Sequence, residues 1–387
     1  MPPTVNWSYP TTIRFGVGRI NELAEACTAA GIARPLLVTD EGLARLPITE
    51  EAVGVLTDAG MSPGVFSGVQ PNPTDRNLAE GIAAFKDGGF DGVIGFGGGS
   101  ALDLAKLVAF MAGQTRPVWD FEDIGDWWTR ANGDTIAPII AVPTTAGTGS
   151  EVGRAGVLTN TDTHVKKVIF HPKMLPAVVI ADPQLTAGMP RTITVGTGMD
   201  ALAHSLEAYC APFYHPMSAG IAVEGIRLVK DNIARVAQTP GDLDARANML
   251  SAAMMGAVAF QKGLGAIHAL SHPIGALYGT HHGLTNAVVM PYVLEANRPA
   301  VDGPLTRLAA YLGLDGGADG VLSWVIDLRA RLSVPHTLAD LGVDDGRFDT
   351  MAQMAIVDPT AGGNPVPLTA DMCRTMFRAA YEGRLAG

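Results

Sequence analysis

Cysteine is scarce in this chain: Cys27, Cys210 and Cys373 lie far apart and form no CxxC pair. That spacing excludes a disulfide framework and a thiolate metal site, and it fits a reducing compartment. Charge is sparse too, at 17% of residues, and the balance is acidic, with a formal net charge of -11. Binding a phosphate backbone needs clustered Lys and Arg to displace counterions, so nucleic acid is excluded as a partner. Apolar runs are broken by Pro or Gly well short of a membrane span, and the opening MPPTVNWSYPTTIRF has no basic segment followed by an apolar one. A cytoplasmic protein without a membrane partner is therefore expected. Hydrophobic residues, by contrast, reach 47% of the 387 positions, and Gly numbers 46. Such a chain folds, and its length suits two domains.

From about Thr12 to Pro183, short β-rich runs alternate with helical patterns. PLLVTD (35 to 40), GVIGFGG (92 to 98), PIIAVPTT (138 to 145) and AVVIADP (177 to 183) read as strands, with helices including Arg19 to Ala30 and Thr74 to Lys86. This alternation predicts βαβ units and a mostly parallel, Rossmann-like nucleotide-binding sheet. VLTNTDTHVKKVIF (157 to 170) reads instead as a β-hairpin attached to that sheet. After Asp182 the apolar residues recur at helical spacing, as in AGIAVEGIRLVKDNIARVAQ, so the remainder is expected to be all helical. Pro183, Gly188 and Pro190 punctuate the change, and the expected domains are an α/β dinucleotide-binding domain over 1–186 and an all-α metal- and substrate-binding domain over 187–387.

Between an apolar strand and a helix, GVIGFGGGSALDLAK sets Gly97, Gly98, Gly99 and Ser100. Glycines there let a diphosphate approach the outward-pointing amides of the helix start, although such a turn also serves as a plain tight connection. PTTAGTGSE, from Pro143 to Glu151, follows another strand and offers Thr144, Thr145, Thr148 and Ser150 as donors, the alternative being an ordinary turn rich in Ser and Thr. Two such loops on one sheet imply one shared ligand. Asp40, at the end of PLLVTD, can accept from a ribose 2′-hydroxyl and repel a 2′-phosphate, favouring NAD over NADP, or it can cap the next element.

GTGMDALAHSLEAY places Asp200 and His204 four residues apart, on one face of a predicted helix. GAIHALSHPIGALYGTHHG repeats that spacing in His268 and His272 and adds His281 and His282, so four of the nine histidines fall within fifteen residues. A single buried imidazole often just satisfies itself by hydrogen bonding. Two helical pairs, one with a carboxylate, instead make a nitrogen and oxygen set suited to Fe(II), Zn(II) or a similar first-row ion. Glu207 reads as an outer or structural partner.

The order of GGGSALDLAK, PTTAGTGSEV, MDALAHSLEAY and HALSHPIGALYGTHHG resembles the iron-containing (group III) alcohol dehydrogenases, from about Pro10 to the carboxyl terminus. The resemblance implies an NAD-dependent oxidoreductase interconverting an alcohol with an aldehyde, ketone or semialdehyde. It implies Asp200, His204, His268 and His282 as metal ligands, and His272 facing the nicotinamide and the reacting centre. Asp40, Gly98, Gly99, Ser100, Asp103, Thr144, Thr145, Thr148 and Lys166 would line the cofactor cleft, with Asn72 of the QPNPT turn and Leu185 as further contacts. A homodimer formed through a strand near the amino terminus is expected on the same ground.

Chemically, a divalent ion stabilises an alkoxide in one direction and polarises a carbonyl in the other. His272, unneeded as a ligand, can relay the proton, or it is a packing residue. Lys166 either orients the cofactor or is an exposed hairpin lysine, while Lys167, on the other strand face, reads as the solvent residue. Arg154, if directed inward, would grip a substrate carboxylate, and if outward it forms only a surface pair. Phe260, Trp127 and Trp128 are apolar walls or core. Zn(II) in place of Fe(II), as in the glycerol dehydrogenase branch, stays open, because supply as well as ligand set decides the ion. A lyase resembling dehydroquinate synthase is the alternative enzyme, distinguished by returning its cofactor unchanged. A non-catalytic binding module would show a closed metal site.

Overall fold

The structure, a computed structural model, describes residues 9–163 and 165–385. Residues 1 to 8, part of the stretch read above for a leader, lie outside them. The chain divides into two compact units, one ending at Gly188 and the other beginning at Met189.

In the first unit a six-stranded sheet is built from β1 (Thr12–Phe15), β2 (Pro35–Asp40), β3 (Gly64–Val69), β4 (Gly92–Gly97), β5 (Ile139–Pro143) and β8 (Val178–Ala181), in the order β1-β8-β5-β4-β2-β3. Every pairing is parallel. Helices α1 (Leu23–Ala29), α2 (Glu41–Ala44), α3 (Pro47–Asp58), α4 (Asp75–Asp87) and α5 (Gly99–Met111) belong to the same unit. The central strands are apolar without alternation because both faces are covered. Leu36, Val38 and Val93 pack with Leu104 and Val108 of α5, whereas Leu37, Ile94 and Phe96 pack with Leu23 of α1 and Leu56 of α3. From β2 the chain steps outward to β3 and then returns to the other side of β2 as β4, so the order reverses between β2 and β4. Ligands of open parallel sheets bind at the carboxyl ends of strands flanking such a reversal, here Asp40 and Gly97 to Ser100.

The hairpin, β6 (Ala155–Thr159) and β7 (Lys166–Phe170), is antiparallel and forms a separate two-stranded sheet, which corrects the expectation that it joins the main one. Its backbone is committed elsewhere. Val157 N donates to Asp103 Oδ2 at 3.1 Å and Thr159 N to Pro73 O at 2.8 Å. A Cβ on Gly156 would lie 2.8 Å from Leu107, so the hairpin rests directly on α5.

The second unit is helical among the described residues: α6 (Arg191–Cys210), α7 (Pro216–Gln238), α8 (Leu243–Ala259), α9 (Ala266–Tyr278), α10 (His282–Leu312), α11 (Gly317–Leu332), α12 (Phe348–Ile356) and α13 (Ala370–Glu382). Helix α6 is buried on nearly every side from Thr194 to Ala208, which accounts for its lack of a polar face. Among the described residues no single helix is long and apolar enough to cross a membrane.

Candidate metal centre and nucleotide loops

In the first unit, β4 and β5 are neighbours, so the loops that follow them adjoin. A Cβ on Gly99 would lie 2.6 Å from Thr148 Cγ2, and one on Gly98 3.2 Å from Thr145 Cγ2. Only glycine lets the two loops close to this separation. Gly98 caps α5 without a side-chain acceptor, leaving first-turn amides for an anion, and Ser100 follows in that turn. Buried Thr144 donates its amide to Gly97 O at 3.0 Å, and Thr148 Oγ1 accepts from Ser150 N at 3.2 Å. Asp103 is a strut rather than a free acceptor: Oδ1 takes the Ser150 hydroxyl at 2.5 Å, and Oδ2 takes Val157 N. Lys106 reinforces it, with a buried ammonium that donates to Ser150 O at 3.0 Å and to Ala155 O and pairs with Asp103 at 3.3 Å.

The other residues singled out in this unit are spread along it. Asp40 Oδ1 accepts from Leu43 N at 2.9 Å and caps α2. Asn72 adopts φ 55 in its exposed turn, a left-handed conformation that Asn tolerates. Leu185 is buried in the short turn Pro183–Thr186 after β8. Lys166 is half-buried at the start of β7, opposite Thr159. Lys167, expected in solvent, pairs instead with Glu122 and lies 5.6 Å over Trp119. The Arg154 guanidinium sits 5.3 Å over Phe170, and Trp128 meets the same ring edge-on at 6.4 Å, while Trp127 carries Arg130 at 4.1 Å.

In the second unit, α6 carries Asp200 and His204, α9 carries His268 and His272, and His282 opens α10. Their approach depends on two glycines. A Cβ on Gly283 would stand 2.0 Å from Gly196 O and 3.2 Å from Asp200 Cβ, so α10 starts in backbone contact with α6. Asp200, His204 and His268, all buried, each bring one ligand atom within 4.8 Å of the others. Measured from Asp200 Oδ1, Nε2 of His204 lies at 3.8 Å, of His268 at 3.7 Å and of His282 at 3.4 Å, the last on a side chain 34% exposed. His281 instead caps α10, accepting from Leu284 N. Phe260 packs edge-on to His204, with ring centroids 5.2 Å apart, and walls this cluster.

The separations are long for hydrogen bonds and near those of ligands sharing one ion, that of His282 within the range and those of His268 and His204 a few tenths of an ångström beyond it. Bonds of ~2.0–2.2 Å to a common centre leave neighbouring ligand atoms roughly 3–3.5 Å apart. The electrostatics agree. Burial pushes the Asp200 carboxyl up, yet the imidazoles of His204, His282 and His268 outweigh it and hold it well below the usual carboxylate range. Burial also disfavours protonated His268, and the carboxylates of Glu207 and Asp200 overcome it, pushing His268 up to about 10. Both shifts reflect the mutual attraction of buried carboxylates and imidazoles, Glu207 acting on His268 from the Nδ1 side and Asp200 from the Nε2 side. One carboxylate and three imidazoles suit Fe(II) or Zn(II), so the residues fit a divalent ion.

Several partners of the cluster escaped the sequence reading. Asn286 Nδ2 donates to Asp200 Oδ1 at 2.8 Å, and its buried Oδ1 has no partner among the described residues. Its place four residues after His282 follows the same helical spacing and was open to detection. Asp358 Oδ2 holds His272 Nδ1 at 2.8 Å, and Asn364 Oδ1 accepts from Ala266 N at 3.1 Å. Both belong to the irregular stretch DPTAGGNP, which carries no periodic signal.

The chain matches the iron-containing alcohol dehydrogenase family over residues 10–183, and the C-terminal domain of the Fe-containing alcohol dehydrogenase family over residues 194–381. It is 40% identical to 4-hydroxybutyrate dehydrogenase of Cupriavidus necator, over 95% of this chain and 98% of that protein. It is 36% identical to 1,3-propanediol dehydrogenase of Klebsiella pneumoniae, over 96% and 97% respectively. Among solved structures, 1,3-propanediol oxidoreductase superposes with a TM-score of 0.94 at 35% identity, covering 98% of this chain and all of that one (100%). With both parts of the family present in order and a 40% identical relative covered nearly end to end, the chain belongs to the iron-containing alcohol dehydrogenase family and is an alcohol dehydrogenase of that type.

Proposed function

We propose that this enzyme uses NAD to oxidise a short primary alcohol bearing a second oxygen function at its far end, with 4-hydroxybutyrate the leading substrate and 1,3-propanediol the neutral counterpart. The choice follows the names of the two relatives, both of which act on three- or four-carbon chains of this kind. Ferrous iron is the proposed ion and Asp200, His204, His268 and His282 its ligands, with Zn(II) accepted by the same donors. The observation that carries this reading is the gathering of three imidazole Nε2 atoms 3.4–3.8 Å from one buried carboxylate oxygen.

A divalent ion held there supplies Lewis-acid polarisation of a substrate oxygen. The chain's residues do the rest. His272, whose Nδ1 is occupied by Asp358, offers Nε2 to take the hydroxyl proton. Phe260 walls the substrate carbons beside His204. The amides at Gly98, Gly99 and Ser100 receive the diphosphate, the Thr144, Thr145 and Thr148 loop closes over it, and Asn72, Lys166 and Leu185 complete the cofactor contacts. Asp40, at the carboxyl end of β2, selects NAD by meeting the ribose hydroxyls. Three unlinked cysteines accord with the cytoplasm. A homodimer would use the side of β1 away from β8, which has no strand partner among the described residues.

The test is NAD reduction by the iron-loaded and zinc-loaded enzyme against 4-hydroxybutyrate, 1,3-propanediol, ethanol and 2-hydroxy acids. Net NADH formation with the first two is expected. Activity that persists after complete metal stripping would sink the mechanism.

A further inference from the structure

Glu207 stands behind His268 and is 6% exposed. Its two oxygens have different partners. Oε1 accepts from Ile267 N at 2.6 Å and from His268 N at 3.4 Å, while Oε2 lies 2.5 Å from His268 Nδ1. Helix α9 starts at Ala266, and its N-cap, Gly265, has no side chain to offer, so these amides, with Ala266 N on Asn364 Oδ1, are satisfied from outside the helix. A carboxylate at the amino end of a 13-residue helix also meets the positive end of its dipole.

The consequence for His268 is a question of tautomer. An ionised carboxylate only accepts hydrogen bonds, so the proton of a neutral His268 ring is fixed on Nδ1. In that neutral ring the lone pair is on Nε2, which stands 3.7 Å from Asp200 Oδ1. A glutamine of the same shape would offer one acceptor and one donor. If its oxygen keeps Ile267 N, its NH2 confronts Nδ1 and drives the proton to Nε2, where it abolishes ligation. If it turns over, the NH2 confronts the Ile267 N–H.

We propose that Glu207 is a positioning residue of the metal centre, presetting His268 as an Nε2 ligand with the same carboxylate that anchors the first turn of α9. The proposal rests on the metal reading of Asp200, His204, His268 and His282. It makes ligand orientation and helix docking one event, so an incoming ion has only the Nε2 proton to displace from a ring already held in place.

The experiment is titration of the full-length metal-free chain with Co(II), read by its visible d–d spectrum and by competition with a chelator. The wild-type chain is expected to bind one Co(II). Glu207→Gln should bind it 10–100-fold more weakly, the range for loss of such an outer partner, and with an altered spectrum. Glu207→Asp, which keeps two acceptors on a shorter stem, should fall between them. Glu207→Gln with affinity within twofold of the wild type overturns the proposal. If far-UV circular dichroism shows that variant unfolded, Glu207→Asp decides, and affinity within twofold again overturns it. A wild-type chain that binds no Co(II) overturns the metal reading itself, and the proposal with it.

Discussion

His272 and Asp358, 86 residues apart in the chain, meet through a 2.8 Å contact between Nδ1 and Oδ2. Thr360 fixes the other oxygen of Asp358 from its amide at 2.9 Å and its hydroxyl at 2.6 Å, so the carboxylate cannot turn away. The imidazole proton is thereby held on Nδ1 and Nε2 is left to accept. Asp358→Asn replaces an obligate acceptor by an amide and should lower kcat about 100-fold, within the span of general acid–base contributions. Metal content and the KM for alcohol should hold. A variant that loses its metal instead would show that Asp358 serves the ion and not the proton.

How much of this was legible depends on period. Asp200 with His204, and His268 with His272, stand out because four residues make about one helical turn, so each pair shares a face before any tertiary contact is known. Asp358 and Asn364 reach α9 from a glycine-rich loop some 90 residues away, a relation that only tertiary structure creates. The sheet divides in the same way. The buried strands β2, β4, β5 and β8 read as continuous apolar runs, whereas β1, TIRF, and β3, GVFSGV, lie at the edges of the sheet among the described residues and carry no such run. The hairpin was legible as a hairpin, but its separation from the main sheet follows from Asp103 and Pro73 taking its backbone donors.

Removing the ion should loosen the second unit. A ligand that binds only the folded state stabilises it by about 2.7 kcal/mol at a hundredfold excess over its dissociation constant. Chelation is therefore expected to lower the Tm, and added Fe(II) or Zn(II) to restore it. His268→Ala should melt at one temperature with or without chelator. A chelator response in that variant equal to the wild type's would remove His268 from the ligand set.

Gly283 tests the crossing of α6 and α10. A methyl group there would fall 2.0 Å from Gly196 O, and backbone cannot yield as a flexible side chain does. Gly283→Ala should cost about 1–3 kcal/mol by overpacking and move His282 away from Asp200. Urea unfolding and metal content are the measurements. Wild-type values in both would mean that α6 and α10 have slack the structure does not show.

Glu151 gives the first unit a pH dependence of its own. It is 1% exposed, and Oε1 has no partner among the described residues. Burial pushes its carboxyl up to about 7, against the opposing pull of its own backbone amide and the Lys106 ammonium. An acid raised on folding binds its proton more tightly in the native state, so its stabilising contribution is complete below the unfolded pKa of about 4.3. That contribution drains away as pH climbs through about 7. Glu151→Gln keeps the shape and cannot ionise, so the variant should lose this slope. Urea unfolding of the wild-type chain relative to Glu151→Gln is expected to weaken by roughly 3 kcal/mol between pH 4 and pH 8, the linkage value for a shift of this size. Parallel curves for the two proteins across that range would show that Glu151 stays ionised throughout, and the buried cluster beneath the glycine- and threonine-rich loops would then have no pH response.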